Sequence, residues 1–253
     1  DFRTQRRVRY GGYGTLPTVA ENDPYGALTS PSDEEATYNP AKRGGTETIT
    51  LEMIKNDDIG AIRRIPGRLE RAAAQTLYRF VFDMIKNNGT IYDSKALFHA
   101  DHKNLLSAPL SDASLFAAYT AMIEQTAYGD SADTLELEPR LLVVPPELAK
   151  LAYQLVNSPQ EIGTADNQLN FHNTYTLEVL MIGYWTDSNN WYLVANPADV
   201  PTIEIGFLDG QEEPELFVQD LPNVGSMFNN DQITYKIRHI YGGAVLDYRG
   251  FQG

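Results

Sequence analysis

Residues 10–48 cannot build a core. Between Tyr10 and Thr48 stand Pro17, Pro24, Pro31 and Pro40, together with Gly11, Gly12, Gly14, Gly26, Gly44 and Gly45, and no helical period runs through them. Proline and glycine at this density interrupt helices and strands alike. The segments TLPTVA and TETITLEM at the two ends have strand-like content, and the stretch between them, ENDPYGALTSPSDEEATYNPAKRGG, is polar turn material. The pattern predicts a long β-hairpin or extended loop over residues 15–50, reaching on the order of 50 Å at about 3.3 Å per residue. A two-stranded ribbon is marginal in water by itself. A disordered linker would share this composition, but Tyr13, Tyr25, Leu28 and Tyr38 favour an arm that lies on something, such as another subunit.

The remainder carries enough apolar sequence for a core and reads as α+β. Asn56 or Asp57 is placed to cap a short helix ending before Pro66. A longer helix is predicted from Gly67 to Asn88. Its stripe is Leu69, Ala73, Leu77, Phe80, Val81, Met84 and Ile85, with Arg68, Arg71, Arg79 and Lys86 on the other faces and Asn88-Gly89 as the stop. A second helix is expected over 111–128 with Ser111 as cap. Arg140–Val144 reads as a buried strand leading into a helix with Pro146 at its first position. From Tyr175 onward strands dominate, and Trp185 and Trp191 read as core tryptophans closing a hairpin. In the last strand Ile233, Tyr235, Ile237 and His239 share one face, and Gly242-Gly243 marks a bulge or bend. Helices and strands are segregated, without a βαβ rhythm.

Charge excludes one class of function. The net charge is −14 and uneven: residues 1–88 carry 13 Lys+Arg against 12 Asp+Glu, leaving 7 against 22 for the rest. Such a body repels phosphate, so nucleic acid is not its direct ligand. The exception is the basic start, where Arg3, Arg6, Arg7 and Arg9 face only Asp1. It reads as a solvated or partner-pairing arm, with contact to nucleic acid as the alternative. The chain has no cysteine, which excludes disulfides and suits a reducing cytoplasm. The first ten residues lack the apolar run of a signal peptide, and no stretch is long and apolar enough for a membrane span. Asp1 in place of an initiator Met fits removal of an N-terminal segment or a first ordered residue equally.

The tightest titratable cluster is His99, Asp101 and His102 in FHADH. It could ligate a metal in a metal-dependent hydrolase, but the spacing of zinc protease helices is missing, and a loop packed by hydrogen-bonding histidines is the preferred reading. Asp57-Asp58 could be imagined as a catalytic pair, yet adjacent helical residues point apart, and a cap is preferred. No phosphate loop, nucleophile elbow or dinucleotide fingerprint occurs. Neither a catalytic centre nor a cofactor is expected.

The order of four stretches resembles a known family. They are TETITLEMIKNDDIGAIRRIPGRLERAAAQ, FHADHKNLLS, LLVVPPELAKLA and DQITYKIRHIYGGAVLDYRGF. Together they resemble the major capsid proteins of tailed bacteriophages with the Hong Kong 97-type fold, in particular the Mu-like group matured by a prohead protease. The resemblance implies an N-terminal arm (1–14), an extended loop overlapping a neighbouring subunit (15–50) and a peripheral domain (51–135) containing a spine helix (67–88). It further implies an axial domain (136–215) and return strands of the peripheral domain (216–253). The implied function is self-assembly into hexamers and pentamers that close an icosahedral shell around double-stranded DNA, enclosed without specific binding. The shell would be assembled in the host cytoplasm with scaffolding, portal and decoration proteins as further partners. A cellular nanocompartment shell of the same fold is the alternative. Working residues would then lie at interfaces, where Arg and Tyr are enriched: Arg6, Arg7 and Arg9 in the arm, Tyr25, Lys42 and Arg43 in the loop, Arg68 and Arg71 on the helix. Some shells of this fold are locked by a lysine–asparagine cross-link, and Lys42 is the loop's lysine, without a supporting motif.

Overall fold

In the computed structural model the hairpin expected over residues 15–50 does not close on itself among the described residues. The structure describes residues 1–11, 13, 16–28, 33–57, 60, 62–129, 133–161 and 168–253, so Gly12, Gly14, Pro31 and Asp58 lie outside the described residues. The first elements are β1 (Gln5–Tyr10), β2 (Asp33–Tyr38), β3 (Ala41–Thr50), α1 (Leu51–Lys55), α2 (Ile65–Lys86) and α3 (Asp112–Ile123). There follow β4 (Pro139–Val144), α4 (Pro146–Asn157), β5 (Glu178–Met181), β6 (Tyr192–Ala195) and β7 (Ile203–Phe207). The chain ends with β8 (Glu215–Gln219), α5 (Ser226–Asn230), β9 (Gln232–Val245) and β10 (Phe251–Gln252).

By internal contacts the chain divides into two compact units. One comprises residues 1–6, 37–87 and 205–244; the other comprises 7–36, 88–204 and 245–253.

The first unit is organised by β9. Strand β3 pairs antiparallel with it in unbroken register from Ala41↔Tyr241 to Thr50↔Gln232. Strand β8 lines the opposite edge of β9 over residues 234–238, and β7 follows on that side. The predicted loop end TETITLEM is therefore strand, but its partner is β9; residues 16–20 form no strand, and β2 pairs with β1. Gly44 allows the register, because a Cβ there would stand 2.2 Å from the Ile237 carbonyl oxygen. Strand β9 continues through Gly242-Gly243, and a Cβ at Gly242 would meet the Asn39 carbonyl oxygen at 2.4 Å, so the glycine serves close backbone approach.

The short helix expected before Pro66 is a 3-10 turn, Ile62–Arg64, and a separate short helix, α1, lies earlier. Thr50 caps α1 by accepting the Met53 N–H (3.3 Å), and Asn56 ends it as C-cap. The Asp57 carboxylate accepts the N–H of Ile62, the first residue of the 3-10 turn (2.9 Å). Pro66 begins the long helix, since the first turn has no intrahelical use for a proline's missing N–H. Helix α2 then runs about 33 Å over 22 residues and stops where Asn88 takes a left-handed conformation (φ 45°). The predicted stripe is only half-buried, and Ile85 alone on this helix is buried.

The second unit has a mixed sheet in the order β10-β6-β4-β5, with α3 and α4 packed on it. Ser111 caps α3 in a capping box with Ser114. Pro146 opens α4 with Glu147 in the first turn, directly after the buried strand β4. Leu115, Ala118 and Met122 of α3, Ala152 and Leu155 of α4, and Leu142 and Leu193 of the sheet form one apolar core. Trp185 and Trp191 are both core residues, but they close no hairpin. Strands β5 and β6 flank β4 on opposite sides, β5 parallel and β6 antiparallel to it.

Candidate assembly surfaces

The arm residues fall into two kinds of environment. Arg7 is exposed on β1 and grips the Glu204 carboxylate through Nε at 2.8 and 2.9 Å and through Nη2 at 2.8 Å. Arg6 is exposed on the same strand. Arg9 instead reaches inward, pairing with Asp247 through one amino group and with Glu34 through the other, and donating to the Tyr92 hydroxyl at 3.1 Å. Arg249 completes the group. Its guanidinium bonds Glu34 (3.2 Å), Asp247 (3.1 Å) and the Thr126 carbonyl (3.0 Å), and its side chain is only 5% exposed. Two cations thus meet two nearly enclosed carboxylates, and the charges balance. Burial pushes the Tyr92 hydroxyl up to about 12, with Arg9 pulling it down and Glu34 pushing it further up.

The loop residues are split likewise. Tyr25 is 90% exposed, in a polar stretch with Glu21 and Asp23, and Tyr10, Tyr13 and Leu16 nearby in sequence are exposed as well. Lys42 is exposed and makes no ion pair among the described residues. Arg43 is committed within its own unit. It donates to the Tyr241 carbonyl (2.7 Å) and its guanidinium lies over the rings of Phe80 (4.4 Å) and Tyr241 (4.1 Å).

On α2, Arg68 and Arg71 are exposed and unpaired among the described residues. They follow Arg63 and Arg64 at the helix N-terminus, where no acidic residue stands in the first turn. Cations at the positive end of a helix cost roughly 0.3–1 kcal/mol each, and a neighbour's carboxylate would relieve it. At the far end of β9, the Leu51 N–H donates to the Asp231 carbonyl (2.9 Å), and Met53, Leu221, Val224 and Phe228 are exposed.

The FHADH segment is a hydrogen-bonded loop. His102 is buried; one ring nitrogen meets Asp93 (2.6 Å), the other the Leu97 carbonyl oxygen (3.0 Å), and the ring stacks on Tyr248 at 3.8 Å. The His99 Nδ1 accepts the Asp101 N–H (3.2 Å), and Lys95 binds Asp101 at 2.7 Å, lowering its carboxyl below the usual range. Among the described residues no group of three or more His, Asp or Glu side chains is placed to hold a metal ion.

Sequence reasoning missed Glu34, Asp247 and Arg249, which lie up to 215 residues apart and carry no shared pattern. It placed His239 on one face of the last strand with Ile233, Tyr235 and Ile237 but gave it no role. That imidazole is buried (5% exposed), and neither ring nitrogen has a hydrogen-bond partner among the described residues, nor has the buried Tyr241 hydroxyl. A buried polar group left unpaired costs about 1–3 kcal/mol. Burial holds the His239 imidazole below the ordinary histidine range, Arg43 adding to the shift and the Glu212 backbone opposing it.

No curated protein matches this chain. Solved structures do. A chain of the cyanophage Pam1 capsid asymmetric unit superposes with a TM-score of 0.63 at 12% identity, covering 99% of this chain and 84% of that one. A chain of Mycobacterium phage Ogopogo gives 0.56 at 12% identity, covering 100% and 86%, and one of Mycobacterium phage Adephagia 0.55 at 15%, covering 96% and 78%. At such identities the likeness speaks for the fold, and it accords with the Hong Kong 97-type α+β architecture expected from the sequence. The family model of the phage capsid protein matches residues 33–252. It describes capsid proteins at large and does not single out the Mu-like group. It favours a phage capsid protein over both the cellular nanocompartment shell and the hydrolase. On that match the chain belongs to the phage capsid protein family.

Proposed function

We propose that this major capsid protein assembles as hexamers and pentamers into the icosahedral head of a tailed phage, enclosing double-stranded DNA without binding it specifically. The observation that carries the reading is surface left uncovered by the chain's own fold. Tyr10, Tyr13, Leu16 and Tyr25 in residues 10–28, and Leu221, Val224 and Phe228 beyond β8, are large apolar side chains in water, and apolar surface concentrated in two short stretches of chain suits protein contacts. The acidic body keeps the genome mobile inside. In this reading residues 1–14 and the part of 15–50 ahead of β2 reach across neighbours while β3 stays on its own sheet, α2 is the spine of a peripheral domain, the axial domain takes up residues 136–215, and residues 216–253 return to the peripheral domain. Arg6, Arg7, Tyr25, Lys42, Arg68 and Arg71 are the contact residues. Arg9 and Arg43 hold the fold that presents them. Assembly in the host cytoplasm, with scaffolding, portal and decoration proteins, belongs to the same proposal.

Negative-stain electron microscopy and sedimentation of the recombinant chain test this. Closed shells, tubes or capsomer rings are expected. A monodisperse monomer or dimer across salt and protein concentrations, with any upstream segment restored, overturns it.

A further inference from the structure

Strand β1 is held by charge where its packing is thin. Among the described residues it pairs with β2 alone, and a two-stranded ribbon is marginal by itself. Val8 is 47% exposed, and a cavity of about 200 Å³ opens between it and Ala36, Tyr92, Pro201 and Leu246. Two arginines do the fastening. Arg7 pairs with Glu204 at the surface. Arg9 sends one amino group to Asp247 and the other to Glu34. Its side chain is 26% exposed, against 9% for Glu34, 3% for Asp247 and 5% for Arg249, so it enters the ion cluster from the solvent side. Arg249 bridges both carboxylates without it. Glu34, at the start of β2, therefore stays fixed when Arg9 leaves, and water can follow into the opening.

We propose that β1 is an autoinhibitory strap, fastened through Arg9 to its own chain in the free subunit and released when the subunit joins a neighbour. The proposal rests on the shell reading, which sends residues 1–14 to other subunits. An arm whose Arg7 and Arg9 are bonded to Glu204, Glu34 and Asp247 has spent those cations at home. Release must precede reach, and the fraction of subunits with an open strap limits the apparent affinity between them.

Hydrogen exchange of the full chain, read by mass spectrometry, tests the strap, with β4 and β6 reporting on the fold. In Arg9→Gln the β1 amides should exchange about tenfold faster or more, since a hydrogen-bonded charge pair no longer opposes local opening. Those of β4 and β6 should keep their parent rates. Unchanged β1 exchange overturns the proposal. So does acceleration of β1, β4 and β6 together, because Arg9 would then hold the unit and not a strap. Arg7→Gln, which strands no enclosed charge, should speed β1 about two- to fivefold; if Arg9→Gln does not fold, no change in this variant overturns the proposal by itself. Light scattering reads the inhibition. The protein concentration at which Arg9→Gln begins to assemble should fall about threefold or more. An equal or higher threshold with β1 freed overturns the inhibitory role. A parent chain that forms no particles under any condition sinks the shell reading, and the exchange result then judges the strap separately.

Discussion

Helix α2 and the pair α3 and α4 show how differently the two units are finished. Each of the 12-residue helices α3 and α4 buries four side chains against the mixed sheet. The 22-residue α2 buries Ile85 alone. The second unit's buried histidines are satisfied, His102 by Asp93 and His172 by Asp112 at 3.3 Å, whereas His239 in the first unit lacks any hydrogen-bond partner among the described residues. One unit is completed by its own chain. The other stops short of its own closure, and in a protein built to assemble, an incomplete surface is where a neighbour gains most by docking.

The largest effects should therefore fall in the second unit. Arg249→Met leaves Glu34 and Asp247 nearly enclosed with Arg9 as their remaining cation, and breaking such a buried network costs about 3–5 kcal/mol. Denaturant unfolding measures it; a loss under about 1 kcal/mol would show that water relieves the cluster. Next comes Leu142→Ala, at a fully buried position of β4, with an expected cost of about 2–5 kcal/mol. Leu69→Ala on half-buried α2 should cost the isolated subunit about 1 kcal/mol or less. Equal losses at the two leucines would break the contrast between the units.

Much of this was legible in the residues. The stripe of α2, the Ser111 cap, Pro146 at a helix start and the buried run of β4 all rest on local chemistry, and local chemistry survives folding. What was not legible depended on partners distant in sequence. The 41–50 strand reads as half of a local hairpin until β9, 182 to 200 residues later, takes it as partner. The close approach of Asn39 to Gly242 is equally invisible in the sequence. Of the contact residues, exposure kept Tyr25, Lys42, Arg68 and Arg71 available, whereas Arg9 and Arg43 found partners within their own units. A basic residue in sequence does not say whether a carboxylate or a ring will come to it.

A smaller effect should appear in acid. The His239 imidazole is held below its ordinary range, so an unfolded chain binds a proton there that the folded subunit resists. The neutral histidine's contribution is fully present above the unfolded value of about 6.5 and is lost as pH falls through it toward the folded value. Melting temperature followed from pH 7 to 5 should fall less steeply in His239→Phe. An unchanged slope would assign the acid sensitivity to another group.

The smallest effect on the subunit should accompany the clearest effect on assembly. Arg68→Glu with Arg71→Glu touches no hydrogen bond or ion pair among the described residues, and it places carboxylates near the positive end of α2, where they are favoured. Subunit stability should stay within about 0.5 kcal/mol of the parent, or rise slightly. Shell formation should nevertheless fail, because two cations offered to a neighbour have become two anions. The opposed directions separate an interface role from a folding role. A variant that melts normally and still yields normal shells would remove both arginines from the contact, leaving the incompleteness of the first unit to be filled elsewhere along its surface.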